Sequence, residues 1–252
     1  MPSLPTVGAG PSASAVLQAY IDKVVTLCGA NLLAYWPVSE AAGSTLDNYE
    51  GTAARDGSVT GVTLAQTGIG DGLTSGYWDG ANDYGNVYSA SLSGVFSFDE
   101  GTLGLWANFD DWACASDRGV VAFRSVDDVN QKQVGITKLN SVKRLYFLRR
   151  NTSGEAKQVD SGVQVLSGWH HLGLTWSVTS GLLTAYIDGV SVGTPQSGLT
   201  AMTWTGLKDT GCSLGSNWGN SASGVVPGKL AHLLVCDTAV SGATMLAIAT
   251  VG

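Results

Sequence analysis

The sequence predicts an all-β protein built as a two-sheet antiparallel sandwich, and two observations support that prediction. The first is composition: 34 of the 252 residues are glycine and only 13% are charged, a balance typical of turn-rich β proteins and not of helical bundles. The second is a period of two between Trp169 and Trp176, where Leu172, Leu174 and Trp176 fall on the same face. This alternation predicts a strand with one face in a core.

The stretch Gly168–Gly193 then turns back on itself. After a short loop, Leu183, Ala185 and Ile187 form a second alternating apolar row. Asp188-Gly189 follows, and these two residue types tolerate the positive φ angles of a tight hairpin turn. The stretch therefore predicts a β-meander.

This meander resembles the laminin-G-like, or concanavalin A-like, jelly-roll family. Members carry a Trp-His-His start, matched at Trp169, and an aliphatic-Tyr-aliphatic-Asp-Gly hairpin, matched up to Gly189. The opening strand 31–37, the segment 78–84, in which Trp78 replaces the usual Phe of a Phe-Asp-Gly-x-x-Asp-Tyr pattern, and the closing strand 228–235 are also similar to the family pattern. The resemblance covers about residues 31–250. It implies a jelly-roll domain at 31–252, preceded by a short N-terminal arm and helix at 1–30.

The arm and helix lie outside the family pattern. Residues 1–13 are rich in Pro, Ser, Gly and Ala, and Ser14 can cap a helix that ends at Gly29. The apolar stripe of this helix has to be covered, either by its own sandwich or by a partner protein. We take the stripe as a partner-attachment surface, with the sandwich as the alternative, and its residues are Leu17, Tyr20, Ile21, Val24 and Val25.

Charge and cysteine usage exclude several classes of protein. The formal charge of −7 argues against a nucleic-acid groove. The sequence contains no run of about 18 apolar residues, so we expect no membrane insertion. The N-terminus has no basic segment before an apolar core, so we expect no signal peptide. The four cysteines form no Cys-x-x-Cys pair, which favours buried thiols over zinc, with a Cys212–Cys236 disulfide as the alternative.

Catalysis is not expected. Glycoside hydrolases need two carboxylates facing one sugar, but the acidic pairs of this chain, such as Asp99-Glu100, are adjacent and would point to opposite faces of a strand. The sequence therefore predicts no catalytic residues and a protein that is not an enzyme.

No cofactor or metal site is expected either. In calcium-binding relatives a carboxylate stands near the position where this chain has Ala231 and His232, which supply no such oxygen. Calcium held by Asp47, Asp79 and Asp83 stays open, although hydrogen-bonded turn carboxylates are favoured.

Two places are candidates for carbohydrate binding. Trp218 lies in a loop-like segment with Asn217 and Asn220, where an aromatic face stands beside amide groups. The basic segment 143–150 places cationic and aromatic groups on one face, which suits an anionic glycan or an acidic neighbour, with a face that only keeps an outer sheet soluble as the alternative. That face contains Arg144, Tyr146, Leu148 and Arg150.

The resemblance implies a structural or interaction protein of a virus-like particle. Laminin-G-like jelly rolls occur in tailed-bacteriophage virion proteins, so we expect a virion surface protein, as a capsid decoration or a tail or fibre component, that adheres to glycans. Its partners would be a major capsid or tail protein and cell-surface glycans, in many copies on a virion assembled in the host cytoplasm. The alternatives are a free carbohydrate-binding lectin module and, less favoured, a glycoside hydrolase.

Overall fold

The computed structural model describes residues 13–49, 53–110, 117–127, 132–139, 143–150, 156–164, 166–216 and 224–251. Strands dominate these residues, and only three α-helices occur among them. In chain order the elements are α1 (Ala13–Cys28), β1 (Leu32–Trp36), β2 (Thr45–Leu46), β3 (Gly57–Thr60), β4 (Thr63–Thr67), β5 (Thr74–Asp79), β6 (Tyr84–Asn86), α2 (Ala90–Ser93), β7 (Glu100–Phe109), β8 (Arg118–Arg124), β9 (Gln133–Leu139), β10 (Arg144–Arg150), β11 (Ala156–Asp160), β12 (His170–Ser177), β13 (Leu182–Ile187), β14 (Val190–Ser197), β15 (Ser213–Leu214), β16 (Pro227–Cys236) and α3 (Gly242–Ile248).

The strands form two antiparallel sheets of eight. In the first sheet the order is β14-β13-β12-β7-β16-β5-β4, and β1 pairs with the far end of β16 beside β5. In the second sheet the order is β11-β10-β9-β8-β15-β6-β3-β2. Strands that are distant in sequence, such as β7 and β16, pair with each other in the sheet. This pairing shows that the fold is a jelly roll and not a simple meander. The predicted all-β sandwich is confirmed.

The core lies between the two sheets. Trp36, Trp78 and Trp176 are its largest side chains and are fully buried there. Successive side chains of a strand point to opposite faces, so alternate residues of each central strand enter the core. The predicted hairpin is also found: β12 and β13 are followed by a turn in which Asp188 and Gly189 have φ angles of 51° and 74°.

The outer face of the first sheet is covered by helices α1 and α3. A second buried cluster lies there, in which Tyr20 of α1 and Ile248 of α3 meet Trp106 of β7. The hydroxyl of Tyr20 accepts a hydrogen bond from Trp106 Nε1 (2.7 Å) and donates one to the carbonyl of Ile248 (2.8 Å). A Cβ on Gly173 of β12 would lie 2.5 Å from Met245 Sδ of α3, so glycine here allows the helix to approach the sheet closely.

This packing corrects the attachment hypothesis for three of its five residues. The side chains of Tyr20, Ile21 and Val24 are buried against their own sandwich, at 4%, 3% and 0% exposure, and cannot reach a partner. The reason is that the sheet itself presents apolar and aromatic side chains on its outer face, which the helix stripe covers. Val25 is exposed, and the Leu17 side chain lies outside the described part of the structure.

Candidate functional site

The outer face of the second sheet has a floor of small residues. Strand register places Ala122 of β8 beside Gly135 of β9, and Gly135 beside Leu148 of β10. On the other side of Ala122 the register continues to Ser213 of β15. Ala122, Leu148 and Ser213 have exposures of only 1%, 2% and 0%, although none of them belongs to either hydrophobic cluster. These side chains are therefore buried on the outer face of the sheet, outside the core.

Long cationic and aromatic side chains surround this floor. Arg124, Gln133 and Arg150 pair across three neighbouring strands, which places the two arginine positions about 10 Å apart on one face. Tyr146 and Arg144 lie on the same face because they are two and four residues before Leu148. We call this surface the arginine face; its residues are Ala122, Arg124, Gln133, Gly135, Arg144, Tyr146, Leu148 and Arg150.

The predicted grouping of Arg144, Tyr146 and Arg150 is thus present in the structure, and their role in binding stays a prediction. Each of the three is partly exposed. Nη1 of Arg144 lies 2.5 Å from Oδ2 of Asp160 on β11, in an ion pair whose side chains are 37% and 35% exposed. Such an exposed pair contributes little to stability and can be opened by a ligand.

Arg149, which precedes Arg150 in the chain, lies inside the sandwich, and this position was not predicted from the sequence. It shares a face with Leu145 and Phe147 and is fully buried in the sandwich. Its Nε donates to the carbonyl of Phe98 (2.7 Å), and Nη2 donates to the carbonyl of Thr200 (2.8 Å) and reaches Asp99 Oδ1 at 3.2 Å. The alternation with Leu145 and Phe147 was the signal that could have identified it as an internal residue.

The second predicted carbohydrate site, around Trp218, lies in a segment that the structure does not describe. Asn217, Trp218 and Asn220 lie outside the described residues, so a role for them in sugar binding stays a prediction.

The acidic residues have structural partners. Oδ1 of Asp99 accepts hydrogen bonds from Arg149 and from the backbone amide of Met202. Asp83 Oδ2 accepts from the amide of Asp79, and Asp79 Oδ1 accepts from the amide of Ala81, so both are turn carboxylates. In the part of the chain that the structure describes, no three His, Cys, Asp or Glu side chains converge as metal ligands.

A small open cleft lies where β1 ends. Its volume is about 180 Å³, and it is lined by Pro37, Ser39, Glu40, Asp47 and Tyr49. Partial burial raises the pKa of the Glu40 carboxyl, whose Oε1 accepts a hydrogen bond from the amide of Asp47 (2.8 Å). Tyr49 is 42% exposed at the rim. The cleft is distinct from the arginine face, and none of its described lining residues is cationic.

Both predicted signature histidines have structural roles. Nδ1 of His170 lies 2.7 Å from Oδ2 of Asp188, and Oδ1 of the same carboxylate accepts from the amide of His171 at 2.9 Å. This carboxylate therefore fastens the hairpin turn to the start of β12. His171 points the other way, into the buried cluster under α1, where its ring packs edge-on against Trp106.

A second histidine lies in that cluster. His232, at a bulge in β16, has a φ of 54°, which is uncommon for a residue with a side chain. Its Nδ1 lies 2.5 Å from the hydroxyl of Tyr35, and its Nε2 lies 3.1 Å from Oδ2 of the buried Asp71. Burial alone raises the pKa of Asp71, but the neighbouring His232 ring outweighs burial and lowers it. His232 and Asp71 therefore form a buried pair beneath α1.

Acid is expected to destabilise the protein through His171. Burial lowers the pKa of this histidine to about 3, whereas it is 6.5 in an unfolded chain. Between pH 6.5 and pH 3 the unfolded state binds more protons than the folded state. The free energy of unfolding is therefore highest above about pH 6.5 and falls with decreasing pH by about 1.4 kcal/mol per pH unit. Chemical unfolding from pH 8 to pH 4 measures this slope. His171→Phe keeps a ring against Trp106 and should flatten the slope; an unchanged slope would contradict the assignment.

The alternative prediction of a Cys212–Cys236 disulfide is wrong, because both residues are free thiols in the structure. Cys212 precedes β15 in the second sheet and its Sγ lies 3.5 Å from the carbonyl of Lys208. Cys236 ends β16 in the first sheet and lies in the cluster beneath α1 together with Cys28. Cys28, Cys212 and Cys236 are all buried free thiols in the structure, and Cys114 lies outside the described residues.

Comparison with known proteins identifies the class. The sequence profile of the laminin G family Laminin_G_3, of the concanavalin A-like lectin/glucanases superfamily, matches residues 79–244. Because this match spans more than half of the chain, the protein belongs to that family. A search of curated proteins finds no match. None of the described helices has the length and hydropathy needed to cross a membrane.

Solved structures share the fold at low sequence identity. The sialidase of Trypanosoma rangeli is 11% identical with a TM-score of 0.65; the match covers 94% of this chain but only 38% of the sialidase. Domain 4 of AbnA, an extracellular arabinanase of Geobacillus stearothermophilus, solved with arabinotriose, is 14% identical with a TM-score of 0.59, covering 87% of this chain and 98% of that domain. The ligand-binding domain of botulinum neurotoxin serotype D, solved with N-acetylneuraminic acid, is 9% identical with a TM-score of 0.63, covering 90% and 52%.

Proposed function

We propose that the chain is a non-enzymatic, lectin-like module that binds an acidic glycan on the arginine face. The observation that carries this proposal is the concentration of three arginines and a tyrosine on one face of the second sheet, around a buried floor. The chain as a whole is acidic, with 20 Asp and Glu against 13 Lys and Arg, so a cationic face here is a local exception. Tyr146, which is partly exposed, offers an aromatic surface for the apolar face of a sugar ring.

The arginines favour a carboxylate-bearing sugar over a neutral one. A guanidinium donates two parallel hydrogen bonds to a carboxylate, and such charge-assisted bonds are stronger than those to sugar hydroxyls. Arg150 and Arg124 lie on the two sides of the buried Gln133, so their guanidinium groups can approach a ligand from neighbouring strands. Arg144 can exchange its exposed pair with Asp160 for a ligand carboxylate.

The comparisons support a carbohydrate ligand without naming it. One matched structure is a domain of a carbohydrate-active enzyme in complex with arabinotriose, and its whole length corresponds to this chain. Another is a toxin domain in complex with N-acetylneuraminic acid, which carries a carboxylate.

We expect the module to bind acidic glycans and to reject neutral ones. An array of sialylated, uronic-acid-containing and neutral oligosaccharides gives the class, and calorimetry gives the dissociation constant. Arg150→Ala removes a charge-assisted bond of about 1.5–3 kcal/mol and should weaken binding at least about tenfold. Raising the salt concentration should weaken binding to the wild type more than to the variant.

Lys229→Ala is the matched control, because it removes one positive charge from the first sheet. It should change the dissociation constant less than about twofold. Equal losses in both variants would assign binding to overall charge, and equal binding of neutral glycans would overturn the acidic specificity.

Absence of catalysis is part of the proposal. Asp99, one member of the nearest acidic pair, is held by Arg149 and by a backbone amide. Incubation with sialosides, galactans and β-glucans should therefore release no sugar. Turnover that disappears in Asp99→Asn would favour the glycoside hydrolase alternative.

We also propose that the module is carried on a bacteriophage virion, as a capsid decoration or a tail or fibre component. The support is the family resemblance alone, because laminin-G-like jelly rolls occur in virion proteins of tailed bacteriophages. Many copies on one particle would convert weak binding of each glycan into strong adhesion. Mass spectrometry of purified virions tests this directly, and a chain recovered only as a free protein would favour the free lectin module.

A further inference from the structure

The structure brings together two cysteines that are far apart in sequence. Cys28 is the last residue of α1, and a short 3-10 turn of residues 29–31 links it to β1. At the start of β1, Leu32 is the register partner of Cys236, the last residue of β16. The amide of Asp237 also donates to the carbonyl of Asn31 (2.9 Å), which holds the two segment ends side by side.

The two cysteines lie in the same buried cluster under α1. Both side chains are nearly inaccessible, at 3% and 1% exposure. The segments that carry them are neighbours where β1 and β16 pair, which brings the two thiols within reach of each other. Cys212 has no part in this, because it lies in the second sheet beside the carbonyl of Lys208.

We propose that Cys28 and Cys236 form an oxidisable pair, which a peroxide converts into a disulfide that ties helix α1 to strand β16. The sulfur of Cys28 attacks hydrogen peroxide, gains one oxygen as sulfenic acid and releases the second oxygen as water. The sulfur of Cys236 then displaces the hydroxyl, which leaves as water with the Cys236 proton. Two thiols are oxidised, one peroxide is reduced, and one S–S bond is formed.

Electrostatics within the pair assign the two roles. The hydrogen bond from Cys236 lowers the pKa of Cys28, which favours its thiolate as the attacking group. The pKa of Cys236 is raised by its hydrogen bond with Cys28 and by burial, so it stays protonated until the first step is complete. Hydrogen peroxide is small enough to reach a buried sulfur when the end of the helix opens locally.

The disulfide would act on the covering helix. It closes a loop from residue 28 to residue 236, and a cross-link over a loop this long restricts the unfolded chain strongly. In the reduced protein α1 is held by packing and by non-covalent contacts such as the hydrogen bond from Lys23 Nζ to the carbonyl of Thr250. Oxidation therefore fixes the helix on the first sheet, and reduction releases that constraint.

The test begins with the full-length chain. The reduced protein is treated with hydrogen peroxide, remaining thiols are alkylated, and the digest is mapped by mass spectrometry. We expect a cross-linked peptide that joins Cys28 to Cys236 and that dithiothreitol separates. Sulfinic acids without a cross-link, or a cross-link to Cys212 or Cys114, would overturn the proposal.

A stability measurement gives an independent readout. In a background in which Cys114→Ser and Cys212→Ser leave only this pair, oxidation should raise Tm by about 5–15 °C. Adding Cys236→Ser should abolish the rise. A rise that persists without Cys236 would also overturn the proposal, and peptide mapping of the unmodified chain decides the matter if a serine variant fails to fold.

Discussion

Removal of residues 1–29 is expected to leave a chain that no longer folds into a soluble monomer. The deletion removes the buried side chains of Tyr20, Ile21 and Val24, each of which contributes about 1.5–3 kcal/mol by burial. It also exposes Trp106 and Leu234 on the outer face of the first sheet. The loss is comparable to the total stability of a typical domain, about 5–15 kcal/mol. Size-exclusion chromatography and thermal unfolding measure the result.

Single substitutions at two adjacent valines test whether α1 is part of the folded core. Val24 is fully buried under the helix, whereas Val25 is 37% exposed. Val24→Ala should cost about 1–3 kcal/mol by removing buried methyl groups, and Val25→Ala should be nearly neutral because alanine favours helix formation. A truncated chain that stays monomeric with an unchanged Tm would remove α1 from the core and restore the stripe as a docking surface for a partner.

The meander of β12 and β13 was predictable because its determinants are local. A period of two sets the facing of Leu172, Leu174 and Trp176, and the pair Asp188-Gly189 sets the turn between strands. Neither feature depends on residues elsewhere in the chain, so the sequence pattern and the structure agree in this stretch.

The surface on which helix α1 packs could not be predicted from the apolar stripe of the helix itself. An apolar stripe shows that a helix is covered but does not show by what. A separate signal indicated that this face of the sheet is covered: Gly104 and Gly173 stand side by side in mid-strand, where glycine weakens a sheet unless another element approaches, and at Gly173 that element is helix α3. Trp106 on the same outward face pointed to the same conclusion.

The arginine face was only partly predictable for a related reason. Alternation along β10 grouped Arg144, Tyr146 and Arg150, but Ala122, Gly135 and Ser213 come from three other strands. Only the register between those strands brings them into one floor. Non-local pairing of this kind leaves no trace in a single sequence, since each strand alone shows an ordinary alternating pattern.

Loss of the Arg149 guanidinium is expected to be among the most damaging single substitutions in the sandwich. Arg149→Ala removes hydrogen bonds to the carbonyls of Phe98 and Thr200 and leaves both acceptors unpaired beside a cavity. Breaking such a buried charged network costs about 3–5 kcal/mol, which for a chain of this size lowers Tm by about 6–20 °C. The exposed side of Asp99 contributes little to this loss, because water replaces the guanidinium there.

Arg144→Ala on the same strand is the control that separates burial from charge. It removes the same side chain, but its ion pair with Asp160 is more than a third exposed on both sides, so the expected cost is below about 1 kcal/mol. Arg149→Lys keeps the charge and can reach only one of the two carbonyls, so its Tm should fall between those of the wild type and Arg149→Ala. Differential scanning calorimetry of the three variants gives the order directly. If Arg149→Ala and Arg144→Ala lowered Tm equally, the internal guanidinium would be no more than another surface charge, and the link that it makes between β10 and the segments at Phe98 and Thr200 would have to be abandoned.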